Sequence, residues 1–289
     1  MPELPEVETI AQGLHKRVVG DMIEEVWLSG MKPTFKSKPV EIEAAIAGTR
    51  IVGVRRMGKH IIFDLETATK RSRRASRKAA RSKVKSKAGD HPQWIVHLGM
   101  TGRMAISDPS EAVAKHTHVI AKLQSGRELR FIDPRRFGRL SVAASGGFEA
   151  GGVEPLEADL ATFVRLFQGR KTPIKSALLN QKLLRGVGNI YADESLFRAG
   201  IRPKRRASTI TRERLAKLHV AVQDVLREAI SLGGSSISDY VDADGEEGFF
   251  QLQHRVYGRE GEACLVCRTP VKRVVLAGRS SHYCPVCQK

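Results

Sequence analysis

Cys264-x2-Cys267 and Cys284-x2-Cys287 contain all four cysteines of this chain, and 16 residues separate the two pairs. Each short spacing lets two sulfurs face one ion, and two such knuckles close a tetrahedral thiolate site. Zinc is the metal that a closed four-sulfur set holds as a structural ion, and iron is the other cation these donors suit. The intervening VKRVVLAGRSSHY has the alternation of a β-hairpin, and its Lys272, Arg273 and Arg279 would give the module a basic edge able to touch a phosphate backbone. Four cysteines confined to the end of the chain point to a local metal site rather than a disulfide scaffold.

The other end offers different chemistry. The chain begins MPELPEVET. Removal of Met1, which the small residue at position 2 permits, would leave Pro2 as a free secondary amine. An α-amino group titrates near ~8, far below a lysine side chain, so a useful fraction is unprotonated at neutral pH. Such an amine is a nucleophile for covalent catalysis at a carbon electrophile such as the anomeric carbon of a sugar, and the iminium it forms is an electron sink for elimination. Glu3 adjoins it and could move protons, while Lys59 in RRMGKH could supply a positive charge or a further proton. The residues alone leave a plainer reading open. Pro5 suits a first helical turn, Glu3, Glu6 and Glu8 complement the positive end of a helix dipole, and Leu4, Val7, Ala11 and Leu14 recur at helical spacing.

A third constellation is LLRGVGNIYADES, in which Gly186-Val187-Gly188-Asn189 joins two apolar helices. The turn calls for glycine at positive φ, with Asn189 capping the helix that follows. It serves either as a structural turn or as a phosphate cradle at a helix N-terminus, and Arg170-Lys171 just upstream favours the second.

The elements that must position these residues fall into two kinds. EEVWLSG, RIVGVRRMGKHIIFDL, WIVHLGM, HVIAKL, RELRFID and GRLSVAA read as short strands of a β-sandwich or barrel-like first domain ending near residue 150. From Glu157 onward DLATFVRLF, PIKSALLN, NIYADESLFRAG and TRERLAKLHVAVQDVLREAI carry helical periodicity, with Thr172 and Thr211 as N-cap candidates. The segment KRSRRASRKAARSKVKSK, within residues 69–88, is a low-complexity basic insertion between two strand-like runs. A solvated flexible loop, a phosphate-binding arm and a localisation signal all fit that composition.

A net charge of +18 over 289 residues implies a polyanionic partner, either nucleic acid or an anionic membrane surface. No apolar run reaches the length of a spanning helix, and the N-terminus lacks the basic start and apolar stretch of a signal peptide, so the protein is expected to be intracellular.

Six segments, MPELPEVET, RRMGKHIIFDL, HLGMTGRM, DPRRFGRL, LLRGVGNIYADESLFRAGI and RSSHYCPVCQK, together closely resemble the bacterial formamidopyrimidine-DNA glycosylase family, in the same order and over almost the whole chain. The basic insertion departs from that pattern. The resemblance implies an α+β multidomain fold: an N-terminal catalytic β-sandwich with flanking helices over residues 1–150, a helix-two-turn-helix DNA-binding module over 151–250 and a C-terminal β-hairpin zinc finger over 251–289, with DNA in the cleft between. It implies a monomeric, cytoplasmic, nucleoid-associated enzyme of base-excision repair that acts on double-stranded DNA containing oxidised bases or abasic sites and carries one structural zinc on Cys264, Cys267, Cys284 and Cys287.

By the same likeness Pro2 attacks C1′, Glu3 donates and accepts the proton at the sugar, Glu6 orders the N-terminal site, Lys59 assists at the phosphate or in β-elimination, and Arg279 at the tip of the zinc hairpin assists δ-elimination. Met100, Arg135 and Phe137 fall where the family places its void-filling side chains. His116, Arg135, Arg170, Lys171 and Asn189 fall on or beside its DNA contacts. Arg170 replaces a lysine common in relatives, exchanging a point charge for a planar fork. GGSSISDYVDADGEEGFFQ matches a loop that in relatives closes over the everted base. A sister enzyme of the endonuclease VIII type, preferring oxidised pyrimidines, shares Pro2, Glu3 and the zinc finger; DPRRFG, the loop sequence and the length favour the purine enzyme. A non-catalytic damage-binding zinc-ribbon protein would be free to lose Pro2, Glu3, Glu6, Lys59 and Arg279, and all are present.

Overall fold

A computed structural model describes residues 1–30, 34–67, 91–236 and 248–289; the basic insertion at 69–88 and most of the loop expected to close over a base lie outside them. The described chain divides into two compact units, the first holding residues 1–2 and 7–149 and the second residues 3–6 and the chain from 150 onward.

In the first unit α1 (Leu4–Val18) leads into β1 (Met22–Leu28), α2 (Pro39–Ile46), β2 (Thr49–Met57), β3 (His60–Thr67), β4 (Gln93–His97), β5 (Arg103–Ser107), β6 (Thr117–Leu123), β7 (Glu128–Ile132) and β8 (Arg139–Ala143). The strands form one antiparallel ladder in the order β5-β7-β6-β1-β2-β3-β4-β8. Eight strands about 4.8 Å apart would hold the two edges roughly 34 Å apart if the sheet were flat. Instead Met104 of β5, Phe131 of β7 and Leu140 of β8 share one buried core with Trp94, Phe63 and the apolar face of α1. A Cβ on Gly138, at the start of β8, would lie 2.5 Å from the Phe131 ring. The ladder therefore folds over on itself as a sandwich. Phe63 and Trp94 stack at 4.8 Å inside it.

Two elements escape the sequence reading. The helix α2 has eight residues, and the strand β5 has five with only Met104 and Ser107 buried. Both are too short for their periodicity to rise above that of their neighbours.

The second unit is built from α3 (Leu160–Phe167), α4 (Ile174–Leu178), α5 (Asn189–Arg198) and α6 (Arg212–Ser231), followed by a two-stranded hairpin of β9 (Lys272–Leu276) and β10 (Arg279–Tyr283). Asp159 caps α3 by accepting the Thr162 N–H at 2.6 Å, and Thr211 caps α6 by accepting that of Arg214 at 3.4 Å. Thr172 caps nothing: α4 starts after Pro173, whose fixed φ sets up the turn. Leu4, Phe163, Phe167, Tyr191, Leu196, Leu218 and Val225 meet in the core of this unit. The hairpin turns through Ala277 (φ 47) and Gly278 (φ 74), the paired left-handed conformation that matches strand twist. Among the described residues no helix is long and apolar enough to cross a membrane.

The two tryptophans of the first unit test this packing. Trp94 is fully buried and Trp27 is 50% exposed. Trp94→Ala should cost about 3–5 kcal/mol of unfolding free energy in urea, while Trp27→Ala should stay within about 0.5 kcal/mol. Equal effects would show that the stacked pair is not at the centre of the core.

Candidate active site and zinc centre

The four sulfurs of Cys264, Cys267, Cys284 and Cys287 all lie within 4.8 Å of one another. Cys264 and Cys287 approach to 3.9 Å and Cys267 and Cys284 to 3.4 Å, close to the ~3.8 Å edge of a tetrahedron with ~2.3 Å zinc–sulfur bonds. Hydrogen bonds from Thr269 pull the Cys267 thiol down to about 6, and the Cys287 N–H donates to Cys284 Sγ at 3.4 Å. Among the described residues, only Phe197, Val256 and Val271 join Cys264 and Cys284 in the buried core here. So small an apolar cluster cannot hold a module by itself, and a bound ion meets that need. The donor set, its geometry and its surroundings fit one structural zinc.

Glu3 and Glu6 are both buried. The Glu3 N–H donates to Glu6 Oε2 at 2.7 Å, the Ser235 N–H donates to Glu6 Oε1 at 2.8 Å, and the Tyr191 hydroxyl also donates to Oε1. Burial pushes the Glu6 carboxyl above its ordinary value, and these donors oppose that rise. Glu3 Oε1 accepts the Ile190 N–H at 3.3 Å from the first turn of α5. A Cβ on Gly188 would fall 2.1 Å from the Glu3 carboxyl carbon. The GVGN turn thus needs its glycines for two reasons. Gly186 adopts φ +88 as expected, but Gly188 has φ −128 and is there to admit Glu3. Gly188, not Asn189, is the N-cap of α5. The helix N-terminus receives a carboxylate of the protein itself, Glu3.

Asn189 instead donates from Nδ2 to Ser280 Oγ on β10 at 3.2 Å. Beneath that contact lies a buried ionic cluster that sequence reading missed. Lys175 Nζ is 2.7 Å from Asp193 Oδ1 and donates to the Ser280 carbonyl at 2.6 Å. Asp193 Oδ2 accepts the His282 N–H at 2.9 Å. Burial lowers the Lys175 ammonium, and Asp193 opposes that. Glu194, next along α5, accepts the N–H groups of Arg255, Val256 and Tyr257 at 2.8–3.1 Å. Three consecutive polar residues, Asp193, Glu194 and Ser195, are fully buried on this helix. The cluster fixes the strand that carries Arg279, whose side chain is exposed beside the hairpin turn. An acidic pair set between the apolar runs at residues 190–192 and 196–197 was the available signal.

In the first unit Lys59 is 8% exposed at the turn between β2 and β3. Next to it His60 packs on His97 at 4.9 Å and on Phe148 at 5.0 Å. His97 Nδ1 accepts the Gly99 N–H at 3.1 Å. Burial, with His60, Lys59 and Arg139 nearby, pushes His97 down to about 4. Met100 is 44% and Phe137 46% exposed. Neither is core packing, and the Arg135 guanidinium lies 4.9 Å above the Phe137 ring. His116 is exposed with φ 74. In the second unit Arg170 and Lys171 are exposed, and Arg170 Nε donates to the Leu166 carbonyl at the end of α3.

Two tests follow from this burial. Lys175→Met should cost about 3–5 kcal/mol by stranding the Asp193 charge, and adding Asp193→Leu should restore much of it in urea unfolding; an additive double variant would contradict the pairing. His254 is also pushed by burial to about 4, against 6.5 when free. Its folded form binds protons less tightly, so the stability it contributes is present above pH 6.5 and lost as pH falls toward 4. The Tm of a His254→Phe variant should therefore fall less steeply between pH 7 and pH 5 than that of the parent chain. Parallel curves would remove the assignment.

Comparison with known proteins agrees with this geometry. Three family domains match in order: the formamidopyrimidine-DNA glycosylase N-terminal domain over residues 1–140, the formamidopyrimidine-DNA glycosylase H2TH domain over 152–241, and the zinc finger found in FPG and IleRS over 261–289. The chain is 44% identical over 291 residues to the formamidopyrimidine-DNA glycosylase of Solibacter usitatus, covering 100% of both chains. A Lactococcus lactis FPG mutant solved with Fapy-dG containing DNA superposes with a TM-score of 0.86 at 30% identity, covering 100% of both chains. The Lactococcus lactis Fpg solved with abasic-site DNA gives 0.85 at 30% identity, covering 99% of each. With zinc donors, buried N-terminal carboxylates and full-length similarity in agreement, this chain belongs to the formamidopyrimidine-DNA glycosylase family of DNA-binding glycosylases and abasic-site lyases.

Proposed function

We propose that this protein excises oxidised purines, 8-oxoguanine and formamidopyrimidines, from duplex DNA and then cleaves the abasic site by β,δ-elimination, with Pro2 as nucleophile. The observation that carries the reading is Glu3. It adjoins Pro2 in the chain, is buried, and is held at the first turn of α5 in a space that only glycine at position 188 leaves open. Met1 is 49% exposed, within reach of an aminopeptidase.

With Met1 removed, the Pro2 lone pair bonds to C1′ and the bond from C1′ to the base breaks, the base leaving with its electron pair and a proton. The proline nitrogen gives up its own proton, and Glu3 protonates O4′ as the sugar ring opens to the iminium. Loss of a C2′ proton expels the 3′ phosphate, and loss of a second sugar proton expels the 5′ phosphate. Lys59 and Arg279 stand as the cations for those phosphates. Water then hydrolyses the iminium, freeing Pro2 and the unsaturated sugar remnant, and a one-nucleotide gap with phosphate at both ends remains. The everted base leaves a void for Met100, Arg135 and Phe137 to fill. His116, Arg170, Lys171 and Asn189 stand as further DNA contacts, and the +18 charge supplies salt-sensitive affinity. Residues 1–150 form the catalytic domain, 151–250 the helix-two-turn-helix module and 251–289 the zinc finger of a monomer working in the cytoplasm at the nucleoid.

Borohydride reduces an iminium to a stable amine, so a duplex with 8-oxoguanine opposite cytosine should become covalently attached, and mass spectrometry should place it on Pro2. Glu3→Gln should lower the excision rate by about 10²–10⁴-fold. Trapping only on an oxidised pyrimidine would reassign the protein to the endonuclease VIII type. Lesion binding with no adduct on either would make it a damage-binding protein.

A further inference from the structure

Asp133 is fully buried in the first unit, where three chain segments meet. Its Oδ1 accepts the Thr101 hydroxyl at 2.6 Å and the Arg135 N–H at 3.3 Å, and its Oδ2 accepts the Gly138 N–H at 2.7 Å. The Asp133 N–H donates to the His116 carbonyl at 3.0 Å. Its own carbonyl is 3.0 Å from His118 Nε2, which must be the protonated nitrogen because a carbonyl only accepts. His118 Nδ1 is then left to accept from Ser29 Oγ at 3.2 Å.

The turns carrying Met100 and Phe137 also touch through their backbones. A Cβ on Gly99 would lie 2.5 Å from both the Phe137 carbonyl carbon and the Gly138 nitrogen. His116 (φ 74) and Arg136 (φ 56) hold left-handed conformations that a residue with a Cβ keeps only when its surroundings impose them. Asp133 bonds to the backbone of the first and caps the loop containing the second.

We propose that Asp133 is a positioning residue for base eversion: its buried carboxylate binds the Met100 turn to the Arg135 to Phe137 loop, and its backbone N–H ties the His116 segment to them, in a single preformed block. The inference rests on the reading that Met100, Arg135 and Phe137 fill the void left by the everted base. Side chains that must enter one base-sized gap together do so faster when their relative positions are set during folding instead of on contact with DNA. The block matters most where a stacked base has to be displaced. An abasic site has no base to unstack, so cleavage there depends far less on it.

The test uses the full-length, zinc-loaded protein. Asp133→Asn places an amide among three donors, and Thr101→Val removes one donor while keeping the side-chain shape. Eversion is followed by stopped-flow fluorescence of 2-aminopurine beside 8-oxoguanine, and single-turnover excision from that duplex is compared with cleavage of a preformed abasic duplex. Both variants should slow eversion and excision by about ten- to a hundredfold while abasic cleavage is nearly retained. Thr101→Val keeps the test decisive if Asp133→Asn fails to fold. An equal loss on both substrates, or no loss on either, overturns the proposal. Met100→Ala separates the two failures. If it slows eversion and Thr101→Val does not, only the role of Asp133 falls; if it leaves eversion unchanged, the void-filling reading falls and the proposal with it.

Discussion

The Glu6 carboxylate is the fixed point of the N-terminus. Chain ends fray unless something ties them down. Glu6 takes the Glu3 N–H, the Ser235 N–H and the Tyr191 hydroxyl into one buried carboxylate. Three donors satisfy a carboxyl group whose charged form burial disfavours, and the Glu3 carboxyl takes a place at the start of α5. That place exists because residue 188 has no side chain. The geometry at the start of the chain is therefore decided by a helix start and a glycine far along it.

Helix α5 does similar work for the zinc module. Tyr191, Ala192 and Leu196 join the core of the second unit, while Asp193 and Glu194 turn buried carboxylates to β10 and to residues 255–257. Burying charge adds little net stability, but a buried charge that has its partners specifies one arrangement. Lys175, Asp193 and the Ser280 carbonyl lock the strand that begins at Arg279. Zinc closes the other side of a module whose apolar core is too small to hold unaided.

The first unit solves a different problem, that of presenting exposed apolar and cationic side chains without losing their positions. Met100 and Phe137 stand on turns rather than on strands, and turns are ordinarily the most mobile parts of a fold. Here the sandwich brings β7 and β8 together, glycines let the turns touch, and the polar groups between them are bonded. Lys59 is buried at the turn into β3, and His60 pairs with His97 across the β3 to β4 step.

The sequence by itself determined what depends on residue type and local spacing. Zinc donors were legible because ligation needs thiolates at short, fixed intervals, and α1, α6 and most strands because each periodicity spans several turns or pleats. The family was legible because six segments keep their order. Only tertiary structure decided which residues meet across long separations: Glu3 with Ile190, Lys175 with Asp193 and Ser280, Asp133 with Thr101. It also decided that Gly188 serves close approach and that Asn189 reaches the hairpin instead of capping its helix. The physical reason is the same in each case. A hydrogen bond or a steric gap depends on atoms brought within a few ångströms by folding, and a single chain read in order carries the chemistry of those atoms but not their distances.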